Sequence, residues 1–356
     1  MMKNIMFICH GAGNGGAERV ITTLANEFSK KDYNVYLVTT NEDKNDYHIN
    51  DSIIRERVLV HSNSVLIRTF QRIKRMRNIV KDNKIDFIIS FSSIPNMQVL
   101  VATLGMRKKI IISERTDPKR YPNGRFAKIL RNVIYPLATK VVFQTAEARD
   151  YFKTEIINKS IIIFNPIRND LPPVYQGKRK KKIVGIGSLS EQKNWMVALK
   201  ACEKFLLDYP DYSFDIYGEG PKRQELQNYI NSKEVLIGRV NLKGFATDAV
   251  EHMNDAKMYI SSSDYEGISN SMLEALATGV PTICTDCPVG GARQFIKDHI
   301  NGILVNVNSP VELEHAMREL ANDEALAESF SKKSVLIRED LSLDSIVNQW
   351  ENLINE

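Results

Sequence analysis

The sequence predicts an α/β protein made of two Rossmann-like, doubly wound parallel-sheet domains in tandem. Short apolar runs alternate with helix-period segments along nearly the whole chain, the punctuation of βαβ units. The alternation stops between Asn165 and Lys182, where Pro166, Pro172, Pro173 and Gly177 lead into the run Lys178 to Lys182. Such a stretch reads as an interdomain linker. The 356 residues are too many for one ordinary core and comfortable for two.

The first half places strands at Asn4–Cys9, Val35–Thr39, Ile85–Ser90, Lys109–Ser113, Lys140–Phe143 and Ile161–Phe164. After the first strand, Ala17, Val20, Ile21, Leu24, Ala25 and Phe28 carry the helical period. Ile183–Ile186 restarts the alternation, followed by Ser213–Tyr217, Lys257–Ser261, Pro281–Cys284 and Ile303–Val305. A last helix over about Leu343–Leu353 sets Ile346, Trp350 and Leu353 on one face, with Ser342 as its N-cap. The expected domains are 1–168 and 183–342, joined by a linker at 169–182, with the helix 343–356 packing back on the first.

Composition narrows the class. Hydrophobic residues at 43%, with 14 Phe and 13 Tyr, exclude disordered and fibrous chains. No apolar run approaches the roughly 20 residues that span a bilayer. The opening run, Ile5 to Cys9, is too short for a secretory signal and leads straight into glycines. Cys9, Cys202, Cys284 and Cys287 are too few for a disulfide framework. A soluble protein of a reducing compartment is expected.

The net charge of +5 hides an asymmetry. Residues 1–170 hold 28 Lys and Arg against 16 Asp and Glu, whereas residues 171–356 hold 20 against 27. The first half should therefore meet something anionic. Arg68, Arg72, Lys74, Arg75, Arg77, Lys81 and Lys84 accompany the apolar Leu66, Phe70, Ile73 and Val80. Arg120, Arg125, Lys128 and Arg131 similarly flank Tyr121, Phe126, Ile129, Leu130, Val133 and Ile134. Either helix alone reads equally as an ordinary solvated face over the core or as a basic amphipathic helix suited to an anionic leaflet. The charge asymmetry favours a membrane surface, and without an RNA-recognition signature nucleic acid is not expected.

Gly11-Ala12-Gly13-Asn14-Gly15-Gly16 follows the first strand and opens a helix, satisfying G-x-G-x-x-G. Glycines admit a close ligand, and helix N–H groups favour phosphate. The second strand ends in Thr39-Thr40, with Glu42 and Asp43 already in the next loop, so the acidic residue that holds a nicotinamide ribose is missing. A tight turn needing glycines for shape alone is the alternative. The densest segment is Glu266-Gly267-Ile268-Ser269-Asn270-Ser271, running through Glu274 to Gly279 and Pro281. Ser269, Asn270 and Ser271 begin a short helix able to take a phosphate, and Gly279 is its natural terminator. Glu274 lies one turn inside, within reach of ribose hydroxyls, and Glu266 precedes on a loop able to face a sugar. Cys284-Thr285-Asp286-Cys287 stands alone and ends a strand, which favours packing over zinc or redox chemistry.

This Glu266–Glu274 segment resembles the E-x7-E region of retaining glycosyltransferases of family 4, which have the GT-B fold. Further pieces occur in the family's order. Gly15-Gly16-Ala17-Glu18-Arg19 is similar to its GGAER loop, and Ser113-Glu114-Arg115-Thr116-Asp117-Pro118 to the S-E-R-x-D-P stretch of bacterial polysaccharide members. Asn165-Pro166-Ile167 closes the first domain, and Gly187-Ser188-Leu189-Ser190-Glu191-Gln192-Lys193-Asn194 resembles G-R-L-x-x-Q-K-N. Tyr217-Gly218-Glu219-Gly220-Pro221 resembles Y-G-x-G-P. The resemblance spans nearly the whole chain.

It implies two domains facing a central cleft and retaining transfer from a nucleoside-diphosphate sugar, with uridine as the expected base and no separate cofactor. It assigns Lys193 to the donor diphosphate, Glu274 to the ribose and Glu266 to the transferred sugar, making Lys193 and Glu266 the catalytic pair. Gly15, Gly16, Gly267, Ile268, Ser269 and Asn270 would approach diphosphate and sugar. Gly218, Glu219, Gly244 and Phe245 would border the base. No two Asp are spaced D-x-D, so a metal-independent hexosyltransferase type is expected, with Lys193 and helix N–H groups stabilising the leaving diphosphate.

Two departures stand out. Ser188 replaces a customary diphosphate-binding Arg, with Arg293 the candidate substitute. Glu114 and Arg115 occupy a loop where many members carry a His, so they are candidates for the acceptor side or for a structural ion pair. The acceptor implied is a polyprenyl-pyrophosphate-linked glycan of capsule, O-antigen or wall-polysaccharide assembly. The protein would then lie in the cytoplasm, peripherally on the inner face of the plasma membrane. The rival readings are a GT-B epimerase or phosphorylase and a nicotinamide oxidoreductase. The oxidoreductase leaves Lys193, Glu266 and Glu274 without a role.

Overall fold

The computed structural model describes residues 2–13, 15–42 and 46–356; Asn14 and Asp43 lie outside this set. The chain divides into two compact units, Met1–Pro166 with Asp344–Glu356, and Ile167–Leu343.

Unit 1 carries β1 (Lys3–Cys9), β2 (Tyr33–Thr39), β3 (Ile54–Arg57), β4 (Phe87–Phe91), β5 (Lys109–Ser113), β6 (Lys140–Phe143) and β7 (Ser160–Ile162). They form one parallel sheet in the order β3-β2-β1-β4-β5-β6-β7. Ile5 to Cys9 are all buried, as a central parallel strand covered on both faces requires. Around the sheet lie α1 (Gly16–Ser29), α2 (Val65–Asp82), α3 (Ser93–Ala102), α4 (Arg125–Ile134), α5 (Ala146–Asp150) and α6 (Thr154–Ile157). The apolar stripe expected after β1 is the buried face of α1, with Val20, Ile21, Leu24, Ala25 and Phe28 inward.

Unit 2 repeats the plan. Its strands are β8 (Lys180–Ile186), β9 (Ser213–Tyr217), β10 (Val240–Gly244), β11 (Ala256–Ser261), β12 (Thr282–Thr285) and β13 (Ile303–Val305), ordered β10-β9-β8-β11-β12-β13 and all parallel. The helices are α7 (Trp195–Asp208), α8 (Arg223–Asn231), α9 (Ala249–Met253), α10 (Asn270–Ala277), α11 (Pro310–Asn322), α12 (Glu324–Ser334) and α13 (Ile337–Asp340). Trp195, Phe205, Phe214 and Phe330 fill the core. The last helix, α14 (Leu343–Asn355), buries Ile346, Trp350 and Leu353 against unit 1, where Trp350 meets Phe91 with ring centroids 5.4 Å apart.

Four sequence expectations need correction. β8 begins at Lys180, so the end of the basic run is strand: Lys180 and Lys182 pair with Asp255 at 2.7 and 2.9 Å. Two edge strands, β3 and β10, were not expected, because an edge strand needs no continuous apolar run. The apolar residues of α2 do not share one environment, since Met76 and Val80 are buried while Leu66 and Phe70 are 82% and 68% exposed. Helix α4 is inverted relative to the usual surface helix. Phe126, Ile129, Leu130 and Val133 are exposed, while the cation Arg131 is fully buried. Arg131 faces inward because it holds the preceding loop, donating from Nη1 to the carbonyls of Pro118 (3.1 Å) and Tyr121 (2.7 Å).

Candidate functional site

Both sheets reverse strand order once near their middle, between β1 and β4 and between β8 and β11. In open α/β sheets, ligands bind beyond the carboxyl ends of strands at such a reversal. The unit 2 residues expected to bind donor sit there.

Lys193, on the loop after β8, forms an ion pair with Glu266, on the loop after β11. Their side chains are 13% and 21% exposed, so water screens the pair only in part. The Lys193 stem lies over Gly187, where an added Cβ would come 3.0 Å from Cε. Gln192 Nε2 donates to the Tyr265 carbonyl (3.0 Å) and to Glu266 (3.4 Å), and Ser263 Oγ donates to the same carboxylate at 3.4 Å. Ser262 Oγ bonds the carbonyls of Lys193 (2.9 Å) and Asn194 (3.1 Å), locking the two loops together.

Helix α10 starts beside the same point. Ser269 caps it, Oγ accepting from Met272 N at 3.4 Å, and Gly279 at φ +71° ends it, as expected. Ser271 Oγ donates to the Ile186 carbonyl (3.0 Å), tying the helix start to the end of β8. Gly267 and Ile268 are buried, and an added Cβ on Gly291 would fall 1.6 Å from the Gly267 carbonyl oxygen, so only glycine fits there. Glu274 is 2% exposed, and its charge helps hold the Arg168 guanidinium above its ordinary pKa, after the larger effect of the Asp170 hydrogen bond.

The loops expected around a base are joined by backbone. Gly218 N donates to the Gly244 carbonyl (2.8 Å) and Leu189 N to that of Glu219 (2.9 Å). A Cβ on Gly218 would meet the Gly187 carbonyl oxygen at 1.9 Å. The Glu219 carboxylate accepts from Arg223 (2.9 Å), and Phe245 is 44% exposed beside it. Ser188 is exposed, with Oγ 2.9 Å from Ser190 Oγ. Arg293, its proposed substitute, is engaged by Asp286 at 2.6 Å.

In unit 1, Gly15 precedes α1 and Gly16 begins it; the Tyr47 hydroxyl donates to the Gly15 carbonyl at 3.3 Å. Glu114 and Arg115 follow β5 but do not pair with each other. Fully buried Glu114 accepts from Ser93 Oγ (2.8 Å) and Tyr135 OH (2.7 Å), and its cation is Arg131 at 4.0 Å. Burial raises its pKa, opposed by Arg131 and the hydrogen bonds. Arg115 stacks 3.9 Å from the Phe91 ring centroid and donates to Asn165 (2.8 Å). Burial lowers its pKa to about 9, and its Nε and Nη2 have no hydrogen-bond partner among the described residues.

Cys284 and Cys287 are free and buried; burial pushes both thiols up, Cys287 to about 12, as packing residues require. Among the described residues no group of three or more His, Cys, Asp or Glu side chains could hold a metal ion. The sequence reading missed Gln192 and Ser263 around Glu266, and Arg168 beside Glu274. Gln192 lies inside a quoted motif, where it was given no role, and Arg168 adjoins one, whereas Ser263 carried no signal.

Two parallel units built on this strand order have the GT-B glycosyltransferase fold. Residues 14–170 match the Glycosyltransferase Family 4 domain, and residues 168–335 match Glycosyl transferases group 1. An α-1,4-N-acetyl-D-galactosaminyltransferase of Campylobacter jejuni, named for a diphospho-undecaprenol-linked GalNAc glycan, is 25% identical over 367 residues, spanning 100% of this chain and 99% of the relative. A second C. jejuni 4-α-N-acetylgalactosaminyltransferase is 26% identical, with 94% of each chain covered. Anabaena HepE, solved with UDP and glucose, superposes with a TM-score of 0.83 at 15% identity over 100% of both chains. The chain belongs to the family 4 glycosyltransferases.

Proposed function

We propose that the protein is a retaining transferase that moves a sugar from a UDP-sugar to a polyprenyl-diphosphate-linked glycan in the assembly of a bacterial surface polysaccharide. The observation that carries this reading is the half-buried Lys193–Glu266 pair at the unit 2 strand reversal, beside the capped start of α10. An arriving diphosphate competes with Glu266 for the Lys193 ammonium, freeing the carboxylate for hydroxyls of the transferred sugar. As the glycosyl–phosphate bond breaks, negative charge grows on the leaving diphosphate. Lys193 and the start of α10, at Ile268, Ser269 and Asn270, stabilise it where water is sparse. Glu274 holds the ribose, and Gly218, Glu219 and Phe245 border the base. Arg115, packed on Phe91 and bonded to Asn165, and Glu114 support the loop after β5 on the acceptor side. The α-linkages in the relatives' names support retention, and their lipid-diphosphate substrates support the acceptor class.

The first test is thermal unfolding with UDP, GDP, ADP and NAD. A ligand at 100 times its Kd stabilises by about 2.7 kcal/mol, enough to raise the midpoint by several degrees. UDP alone should shift it. A shift with NAD alone would overturn the reading.

The proposed acceptor class would bring the protein to the cytoplasmic leaflet, and apolar side chains exposed on unit 1 support such a contact. Helix α3 packs between α2 and α4. Leu66 and Phe70 of α2, with Phe126, Ile129 and Val133 of α4, are each more than 60% exposed. An apolar surface of this kind among cations fits an anionic leaflet, each nearby cation adding about 1 kcal/mol. No described helix is long and apolar enough to cross a membrane. Vesicle flotation should show binding to phosphatidylcholine–phosphatidylglycerol vesicles that falls with salt, and none to phosphatidylcholine alone. Joint replacement of Phe126 and Ile129 by Ser should reduce it at least tenfold, since burying either side chain contributes roughly 1.5–3 kcal/mol. Unchanged flotation of the double variant would refute the surface.

A further inference from the structure

At the carboxyl edge of the unit 1 sheet lies a polar cluster that the donor chemistry leaves unused. His10 directly follows the central strand β1, next to the β1–β4 reversal. Its imidazole is half-buried and held from two sides, with Nδ1 3.3 Å from Thr40 Oγ1 and Nε2 3.3 Å from the Tyr121 hydroxyl. Its carbonyl accepts from the backbone N–H groups of Thr40 (3.0 Å) and Asn41 (2.7 Å), so strand and ring are fixed together. Tyr121 comes from the loop whose carbonyls at Pro118 and Tyr121 are gripped by buried Arg131, so the phenol too is held by the core. The Glu18 carboxylate folds back over Gly15, within 1.9 Å of where a Cβ would stand.

We propose that His10 and Tyr121 form a saccharide subsite on unit 1 that grips hydroxyls of the acceptor glycan. The chemistry favours a neutral polyol over an anion. The imidazole, engaged at both nitrogens by Thr40 and Tyr121, orients the phenol, whose oxygen can pair with a further hydroxyl that both donates and accepts. Burial, with the carboxylates of Glu114 and Glu18 adding to it, raises the Tyr121 pKa, so the phenol stays protonated and able to donate. His10 and Tyr121 are half-buried, so each keeps surface for a ligand while its orientation is set. The direction of transfer rests on the function proposed above; the existence of the subsite does not.

The test uses the full chain and the methyl α-glycosides of glucose, galactose, N-acetylglucosamine and N-acetylgalactosamine, with binding read by saturation-transfer NMR. Wild type should bind at least one of them. His10→Gln and Tyr121→Phe should each weaken that binding roughly tenfold, the effect of one lost hydrogen bond to a well-placed partner. The UDP-induced rise in unfolding midpoint should stay at its wild-type size in both. Tyr121→Phe removes a single oxygen and carries the test should His10→Gln fail to fold. A wild type that binds none of the glycosides overturns the subsite, as do variants that bind like wild type. Loss of the UDP effect in the variants overturns it too, by moving the residues to the donor side. Failure of every nucleoside diphosphate to shift the wild type would instead count against the transferase function.

Discussion

Replacing Lys193 with alanine is expected to slow sugar transfer by about two to three orders of magnitude, the usual effect of removing one preorganised donor from a developing anion. Two features of the site put the effect at this size. The Lys193 side chain is only 13% exposed, so water replaces the ammonium poorly, and its loop is fixed by Ser262 to the loop that carries Glu266. The same change should move global stability little, because Glu266 keeps Gln192 and Ser263 as hydrogen-bond donors once the ammonium is gone. Nucleoside diphosphate release with and without acceptor, alongside an unfolding curve, separates the two effects. Near-wild-type transfer in a folded variant would remove Lys193 from the chemistry.

The largest effect on stability is expected from Arg131→Met. Arg131 and Glu114 are both fully buried, and removing one partner of such a pair typically costs about 3–5 kcal/mol because the other charge is stranded. For a unit of this size that is a fall in midpoint of roughly 10 °C. The loss should depend on pH. Burial already raises the Glu114 pKa while Arg131 lowers it, so without Arg131 the folded-state value rises further above the unfolded one. A raised carboxyl pKa gives stability that is present below the unfolded value and lost as pH rises through the folded value. The deficit relative to wild type should therefore widen between pH 5 and pH 8, measured by denaturant unfolding at each. A deficit that narrowed over that range would show that Glu114 is not the stranded group.

Most of the candidate site in unit 2 was legible in the sequence because it is built from short segments with fixed local geometry. Glu266, the Ser269 cap, Glu274 and Gly279 lie within one loop and helix, and local spacing is what a linear pattern records. The central strands were legible for a similar reason, since a strand buried on both faces must be a continuous apolar run. Unit 1 was less legible. The partner of Glu114 is 17 residues away on a helix whose composition reads as basic surface, and nothing in that spacing says that Arg131 turns inward. His10 and Tyr121 are 111 residues apart and meet only through the sheet order. Edge strand β3, Ile-Arg-Glu-Arg, is mostly exposed and has no hydropathy signal at all.

The placement of α14 also sets the order in which the molecule can be completed during synthesis. Unit 2 is continuous in sequence, so all of its parts have emerged once residue 343 has been made. Unit 1 is split, and its core lacks Ile346, Trp350 and Leu353 until the last thirteen residues follow. Until then the Phe91 face that receives Trp350 stays uncovered on a nascent chain. Unit 1, begun before unit 2, thus closes after it, and the interval is the time taken to translate the whole of unit 2.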